Sequence, residues 1–330
     1  MVFQASNFAD VAENWGISFT VWKQGQESAN EFLMNTKELN TDTFQIIKNG
    51  TKVIYPAINP ASFWVREIIK GLPMIEAPNL TSAIGVTQKD KKMVDGALGC
   101  MNSNSNNVYK NGTDVFIVSS CSSLNANVSV LPSNFRRCIA LFAARKTIKP
   151  DWINCKDEYL VPNEKHPDYN QWVNDALVYA LFNTSSQQSS LRDVQYKGKT
   201  WNIENHWFFM SQKEMLQLAD KANFDELYQD AKNGEDSFVY KQLESLTLSD
   251  DAKAVLEAAK SLVRASIGLR KQYHQDHPEL NLQAWSAGWA QLKPLLKDQF
   301  KGAYKQFTET YKVFERRMTK GVYEFGFLKV

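Results

Sequence analysis

Five cationic side chains, Arg136, Arg137, Arg145, Lys146 and Lys149, fall within fourteen residues. Guanidinium and ammonium groups at that density suit the holding of phosphate. They sit on a segment, Asp114 to Trp152, that reads as strand, polar loop, second strand and amphipathic helix. Val115 and Ile117 suit a buried strand, and Asn127 to Leu131 alternates like a half-buried one. Pro132 stops that strand, and Ser133 is the expected N-cap of the helix. Phe135, Cys138, Ile139 and Phe142 recur at helical spacing and must face a core, which leaves Arg136 and Arg137 on the outer side. Two arginines in a first turn oppose the helix dipole. A bound anion would remove the conflict, since a helix N-terminus flanked by arginines is a ready phosphate site. The competing reading is a solvated charged edge, and the residue pattern by itself favours it.

Two polar runs could add base recognition. Met101 to Gly112 (MNSNSNNVYKNG) contains Asn104 and Asn106, and Thr184 to Arg192 (TSSQQSSLR) contains Gln187, Gln188 and Arg192. Amides and hydroxyls in such runs either make turns or meet the hydrogen-bonding edges of bases. Smaller lysine clusters occur at Lys89, Lys91 and Lys92 and at Lys197 and Lys199. Together these groups point to double-stranded DNA as partner, with lysines and arginines on phosphates and amides on base edges.

Motifs for other chemistry are missing. There is no phosphate-cradling glycine-lysine loop, no dinucleotide glycine fingerprint, no serine elbow and no paired-histidine zinc helix. Asp157 and Glu158 are adjacent and diverge in any regular element, which argues against an acid–base pair. The four cysteines are far apart and the four histidines offer only His274 and His277 as neighbours, so no metal is expected. The cysteines read as reduced buried thiols. A net charge of +2 requires any basic surface to be local. No stretch approaches the ~20 apolar residues of a membrane span, and the N-terminus lacks a signal-peptide run, so a cytoplasmic protein is expected.

The elements that must position these groups form an α+β chain. Gly16 to Lys23 and Glu31 to Leu39 read as strands that cannot bury themselves. Asn49-Gly50 predicts a hairpin turn between Phe44–Lys48 and Thr51–Tyr55. Ala61 to Lys70 reads as a helix ended by Gly71, and Asp168 to Phe182 as another. Val194 to Ile203 reads as a hairpin turning at Lys197-Gly198. From Ser211 the chain turns helical. Ser211 opens a capping box, Ser249 caps a helix to Gln275, and Gln283–Leu296 and Asp298–Met318 follow. Gly268 inside the long helix marks a close contact or a bend. The expected organisation is residues 1–40 as terminal strands of an incomplete sheet, 41–210 as a mixed strand/helix recognition domain, and 211–330 as a mostly helical C-terminal subdomain.

Three stretches carry a family resemblance. GISFTVWK (Gly16 to Lys23) resembles the strand after the catalytic strand of adenine-N6 DNA methyltransferases of the restriction-modification type. NVSVLPSNFRRCIALFAARKTIKPDWINCKDEYLVPN with DALVYALFNTSSQQSSLR resembles their target-recognition region. LNLQAWSAGWAQLKPLLK with VYEFGFLKV resembles their helical C-terminal ending. In that family the cofactor loop and the Asn-Pro-Pro-Tyr motif precede the first of these stretches, and here only fifteen residues do. The resemblance therefore implies the C-terminal, DNA-recognising portion of such an enzyme, with S-adenosylmethionine and catalysis belonging to a missing or separate catalytic domain. It implies no cofactor bound by this chain and lends no catalytic residue. A module that completes a partner protein's sheet is the alternative function.

Overall fold

The computed structural model describes residues 2–4, 16–18, 31–40, 42–56, 58–80, 86–87, 91–103, 115–121, 127–149, 159–183 and 186–329. Four strands come first: β1 (Val2–Gln4), β2 (Gly16–Ser18), β3 (Phe32–Leu39) and β4 (Ile46–Ile54), in spatial order β2-β1-β3-β4. The strand expected from Gly16 is present to Ser18, and the remainder of GISFTVWK lies outside the described residues.

Asn49-Gly50 makes no turn. It lies in mid-strand, with Asn49 opposite Lys37 and Gly50 opposite Thr36 in the antiparallel β3–β4 pair. The reversal occurs at Asn40–Gln45 instead. There Asn40 Oδ1 accepts the backbone N–H groups of Asp42 and Thr43 at 3.0 and 2.9 Å, and Phe44 adopts φ 55°. An asparagine bonded to the backbone two residues on supplies the turn geometry by itself. That leaves Asn49-Gly50 to extend the ladder.

Helix α1 is shorter than its sequence pattern, spanning Ala61–Trp64 before a single 3-10 turn at Glu67–Ile69. Short strands follow: β5 (Met74–Glu76), β6 (Asn79–Leu80), β7 (Val86–Thr87), β8 (Lys92–Val94) and β9 (Gly99–Asn102). The strands expected around Val115 and Asn127 are β10 (Phe116–Val118) and β11 (Asn127–Val130). Helices α2 (Phe135–Thr147) and α3 (Tyr169–Phe182) match their apolar spacing. β12 (Ser186–Gln187) completes a second sheet, ordered β11-β9-β10-β12, and β13 (Leu191–Tyr196) and β14 (Lys199–Ile203) form the expected hairpin.

The helical part comprises α4 (Gln212–Lys221), α5 (Asp225–Lys232), α6 (Phe238–Leu243), α7 (Asp250–Asp276), α8 (Trp289–Gln299) and α9 (Lys301–Glu324). Ser211 Oγ accepts from Glu214 N at 3.1 Å and Ser249 Oγ from Ala252 N at 3.3 Å, so both expected caps are in place. α7 continues through Gly268, where an added Cβ would meet nothing within 4 Å, so no close contact explains that glycine. The helix expected from Gln283 begins only at Trp289. Gly288 is its N-cap, and a Cβ there would lie 1.5 Å from Gln188 O. Close backbone approach, rather than helix propensity, fixes that residue.

One buried apolar cluster runs from Ala61 to Leu328 and crosses the boundary expected at residue 210. Within it Trp172 of α3 donates through Nε1 to Met318 O at 3.0 Å and packs on Phe325 and Phe327, with ring centroids 5.6 and 5.5 Å away. The mixed and helical parts therefore share a core. Cys100, Cys121 and Cys138 are buried thiols outside any disulfide, and Cys155 lies outside the described residues. Burial pushes the Cys121 thiol up to about 12. Among the described residues no helix is long and apolar enough to cross a membrane.

Candidate nucleic-acid interface

The N-terminus of α2 is organised by Asn134, not by Ser133. Asn134 is fully buried; its Oδ1 accepts from Leu131 N at 2.8 Å, and its Nδ2 donates to Ser129 O at 3.0 Å and Val65 O at 3.1 Å. The amide thus latches β11, α1 and α2 together.

The two arginines of that turn find their partners within the chain. Arg136 donates to Asn174 Oδ1 at 2.9 Å and to Asn170 Oδ1 at 3.4 Å, both on α3. Arg137 Nη1 donates to Trp64 O at 2.9 Å and to Glu67 Oε1 at 3.1 Å, and its guanidinium lies 5.2 Å from the Trp64 ring centroid. The dipole conflict foreseen at this turn is met by a carboxylate, a carbonyl and two amides. Further along, Arg145 is 7% exposed and stacks 4.6 Å over Tyr159. Lys146 is half-buried and Lys149 exposed. The three arginines thus have partners within the chain, while Arg136 and Lys149 remain exposed.

The second polar run is also internal. Ser189 and Ser190 are fully buried and Gln188 nearly so, in place of the exposed row a base-reading loop requires. Ser190 N donates to Gln291 Oε1 at 2.9 Å and Gln291 Nε2 returns a bond to Ser190 O at 2.7 Å. Ser190 Oγ and Ser286 Oγ share a 2.6 Å bond, and Asn205 Nδ2 donates to Ser286 O at 3.1 Å. The run is a polar seam joining the second sheet to α8. Gln187, in β12, is half-buried. Arg192 clamps Asp230 bidentately at 2.8 and 3.0 Å and reaches Glu204 at 3.2 Å. Burial disfavours its charge, and Asp230 and Glu204 more than compensate, so its pKa is raised. Asn104 and Asn106 lie outside the described residues.

A different cationic group assembles elsewhere. Lys92 on β8 stands opposite Glu76 on β5, and Lys197 Nζ donates to Glu76 Oε2 at 2.8 Å. One carboxylate thus joins the two small lysine clusters, with Lys91 beside Lys92 and Lys199 across the hairpin from Tyr196. Lys92, Lys197 and Lys199 are exposed and Lys91 half-buried. Lys197 and Gly198 take φ 51° and 70°, the left-handed geometry of a tight two-residue hairpin turn. Behind the tip Tyr196 is 1% exposed, and Trp201 Nε1 donates to Tyr196 O at 3.2 Å. Gln195 and Thr200 pair across the strands on the exposed side, with Gln195 Nε2 donating to Thr200 Oγ1 at 3.1 Å. A two-stranded ribbon of this kind, with ammonium groups at its tip and an amide and a hydroxyl on its face, has the size of a DNA major groove. Nothing local to either cluster marks this junction, because the residue that joins them is 121 positions from Lys197.

Among the described residues His166, Asp168 and Glu324 are grouped as metal ligands would be, with atoms within 4.8 Å. His166 Nδ1 already accepts Asp168 N–H at 3.2 Å, and both carboxylates are exposed, so the group reads as a surface cluster. No protein-family model, curated protein or solved structure matches the chain.

Proposed function

We propose that this chain is the DNA-recognition part of an adenine-N6 DNA methyltransferase of the restriction-modification type, acting in the cytoplasm. In this reading S-adenosylmethionine and methyl transfer belong to a separate catalytic domain, and residues 41–210 form the target-recognition region followed by a helical subdomain. Two things support it: the chain-long resemblance of GISFTVWK, the NVSVLPSNFRR segment and VYEFGFLKV, and the geometry of the β13–β14 hairpin. The observation that carries it is that Glu76, opposite Lys92 across the β5–β8 pair, accepts from Lys197 Nζ at 2.8 Å and so joins the two lysine clusters. Lys92, Lys197 and Lys199 are exposed, a local grouping of ammonium groups that the net charge of +2 conceals.

Lysines at the tip grip phosphates and fix the register of the hairpin, and Gln195 and Thr200 are positioned to meet base edges. Lys149, exposed beyond α2, extends the same phosphate-binding role, whereas Arg136, Arg137 and Arg145 support the fold. The experiment is a salt titration of binding to a fluorescent duplex. Binding that weakens with salt, with a slope reporting several released counterions, supports the reading. No affinity for duplex DNA at ~50 mM salt contradicts it.

A further inference from the structure

The ladder of the β13–β14 hairpin breaks at its base. Tyr196 stands opposite Lys199, Gln195 opposite Thr200 and Val194 opposite Trp201, and the register then jumps to Leu191 opposite Ile203. Arg192 and Asp193 occupy the bulge, where Asp193 takes φ 56° and its N–H donates to Asn202 Oδ1 at 3.1 Å. A bulge bends its strand and re-aims what lies beyond it, so the direction of the lysine tip is set at this point. Leu191 and Ile203 anchor the base on one side, in a small apolar cluster with Cys100 and Val118. Arg192 anchors it on the other. Its Nη1 donates to Leu191 O and Ile203 O, each at 3.4 Å, and thereby spans both strands. The remaining edge of the guanidinium, Nε and Nη2, meets Asp230 on α5. Asp230 is itself held, because Oδ2 also accepts Trp285 N–H at 2.8 Å. Gly234, just beyond α5, lies so close to Trp285 that an added Cβ would stand 2.3 Å from the indole Nε1.

We infer that Asp230 is a positioning residue for duplex binding, an assignment that rests on the hairpin being the DNA-contacting element. Through Arg192 it fixes the pitch of the hairpin on the helical part of the chain, so that Lys197, Lys199 and the Gln195–Thr200 face meet a duplex in one orientation. The Arg192 and Asp230 side chains are 11% and 21% exposed, which keeps water from competing for their contact. A two-point guanidinium–carboxylate pair fixes direction as well as charge, which a lysine in place of Arg192 could not do. Asp230 itself touches no DNA in this arrangement. It orders the binding element beforehand, and an element already ordered binds more tightly because its ordering is removed from the binding step.

The test compares the full chain with Asp230→Asn and Arg192→Lys by amide hydrogen exchange and by titration of a fluorescent duplex across salt concentrations. In both variants the amides of residues 192–203 are expected to exchange faster, while those of α7 and α9 keep their protection. Duplex affinity is expected to fall about tenfold in each. The slope of log affinity against log salt is expected to stay as it is, because no phosphate-binding lysine has been removed. Protection lost throughout the chain would make Asp230 a residue of general stability and overturn the assignment. So would a loosened hairpin with unaltered affinity, or hairpin exchange that does not change. Failure of the unaltered chain to bind the duplex would instead overturn the DNA reading, and the assignment with it.

Discussion

Helix α2 and the β13–β14 hairpin both carry clustered positive charge, and they engage it to different degrees. On α2 the guanidinium groups turn back onto the chain: Arg137 onto Glu67 and Trp64, Arg136 onto α3, and Arg145 onto Tyr159. On the hairpin Lys197 also reaches a carboxylate, Glu76, and lies 5.9 Å from the Tyr196 ring centroid, whereas Lys199 beside it is exposed. The difference follows from side-chain chemistry as much as from position. A planar guanidinium bonds several carbonyls and carboxylates at once and stacks on rings, so it suits an internal brace. An ammonium is strongly hydrated and keeps to water, where it remains able to meet a phosphate. Density of positive charge in the sequence is therefore a poor guide to which cations the fold engages.

The largest expected effect on binding breaks the hairpin side of this comparison. Lys197→Glu with Lys199→Glu removes two cations and adds two repulsive charges, and duplex affinity at low salt should fall on the order of a hundredfold. Stability should fall by no more than about 1 kcal/mol, the scale of the exposed Lys197–Glu76 pair that is lost. An equal loss of stability would mean the hairpin had unfolded.

The largest effects on stability lie at the braces. Gly288→Ala forces a Cβ to within 1.5 Å of Gln188 O, and strain from such overpacking should cost about 3 kcal/mol in chemical denaturation. Asn134→Ala removes three hydrogen bonds, two of them buried, for a loss of roughly 2–3 kcal/mol. Both variants sharpen the comparison if DNA affinity, measured below their melting temperatures, keeps its salt dependence.

A smaller effect is expected from pH. Burial lowers the pKa of His206 below its ordinary value of 6.5, with Glu204 opposing. The unfolded chain therefore takes up a proton first as pH falls, so this imidazole favours the folded state above pH 6.5 and that contribution is lost progressively below it. His206→Gln should flatten the acid limb of the stability curve between 6.5 and the lower folded value, as read by urea midpoints across pH.

Much of the fold was legible where a local signal and the packing agree. The caps at Ser211 and Ser249, the apolar spacing of α2 and α3, and the Lys197-Gly198 turn all appear where the residues put them. Asn49-Gly50 misled because the pairing register of β3 and the Asn40 turn outweigh a dipeptide preference. The start of α8 was missed for a similar reason, since Gly288 is placed by Gln188, a hundred positions away. The candidate interface was the least legible part. Partners of Arg137, Arg192 and Lys197 lie 70, 38 and 121 residues distant, so nothing local distinguishes a braced arginine from an outward lysine.

The central claim is tested most directly by salt slopes of duplex binding for three proteins, each shown to be folded. Lys197→Ala with Lys199→Ala should reduce the slope of log affinity against log salt by roughly two relative to the unaltered chain. Arg136→Ala with Arg137→Ala should leave the slope unchanged while lowering stability by about 1 kcal/mol, as expected for partly exposed ion pairs. A slope that falls for the arginine pair and stays constant for the lysine pair would contradict the account and return the phosphate contacts to α2.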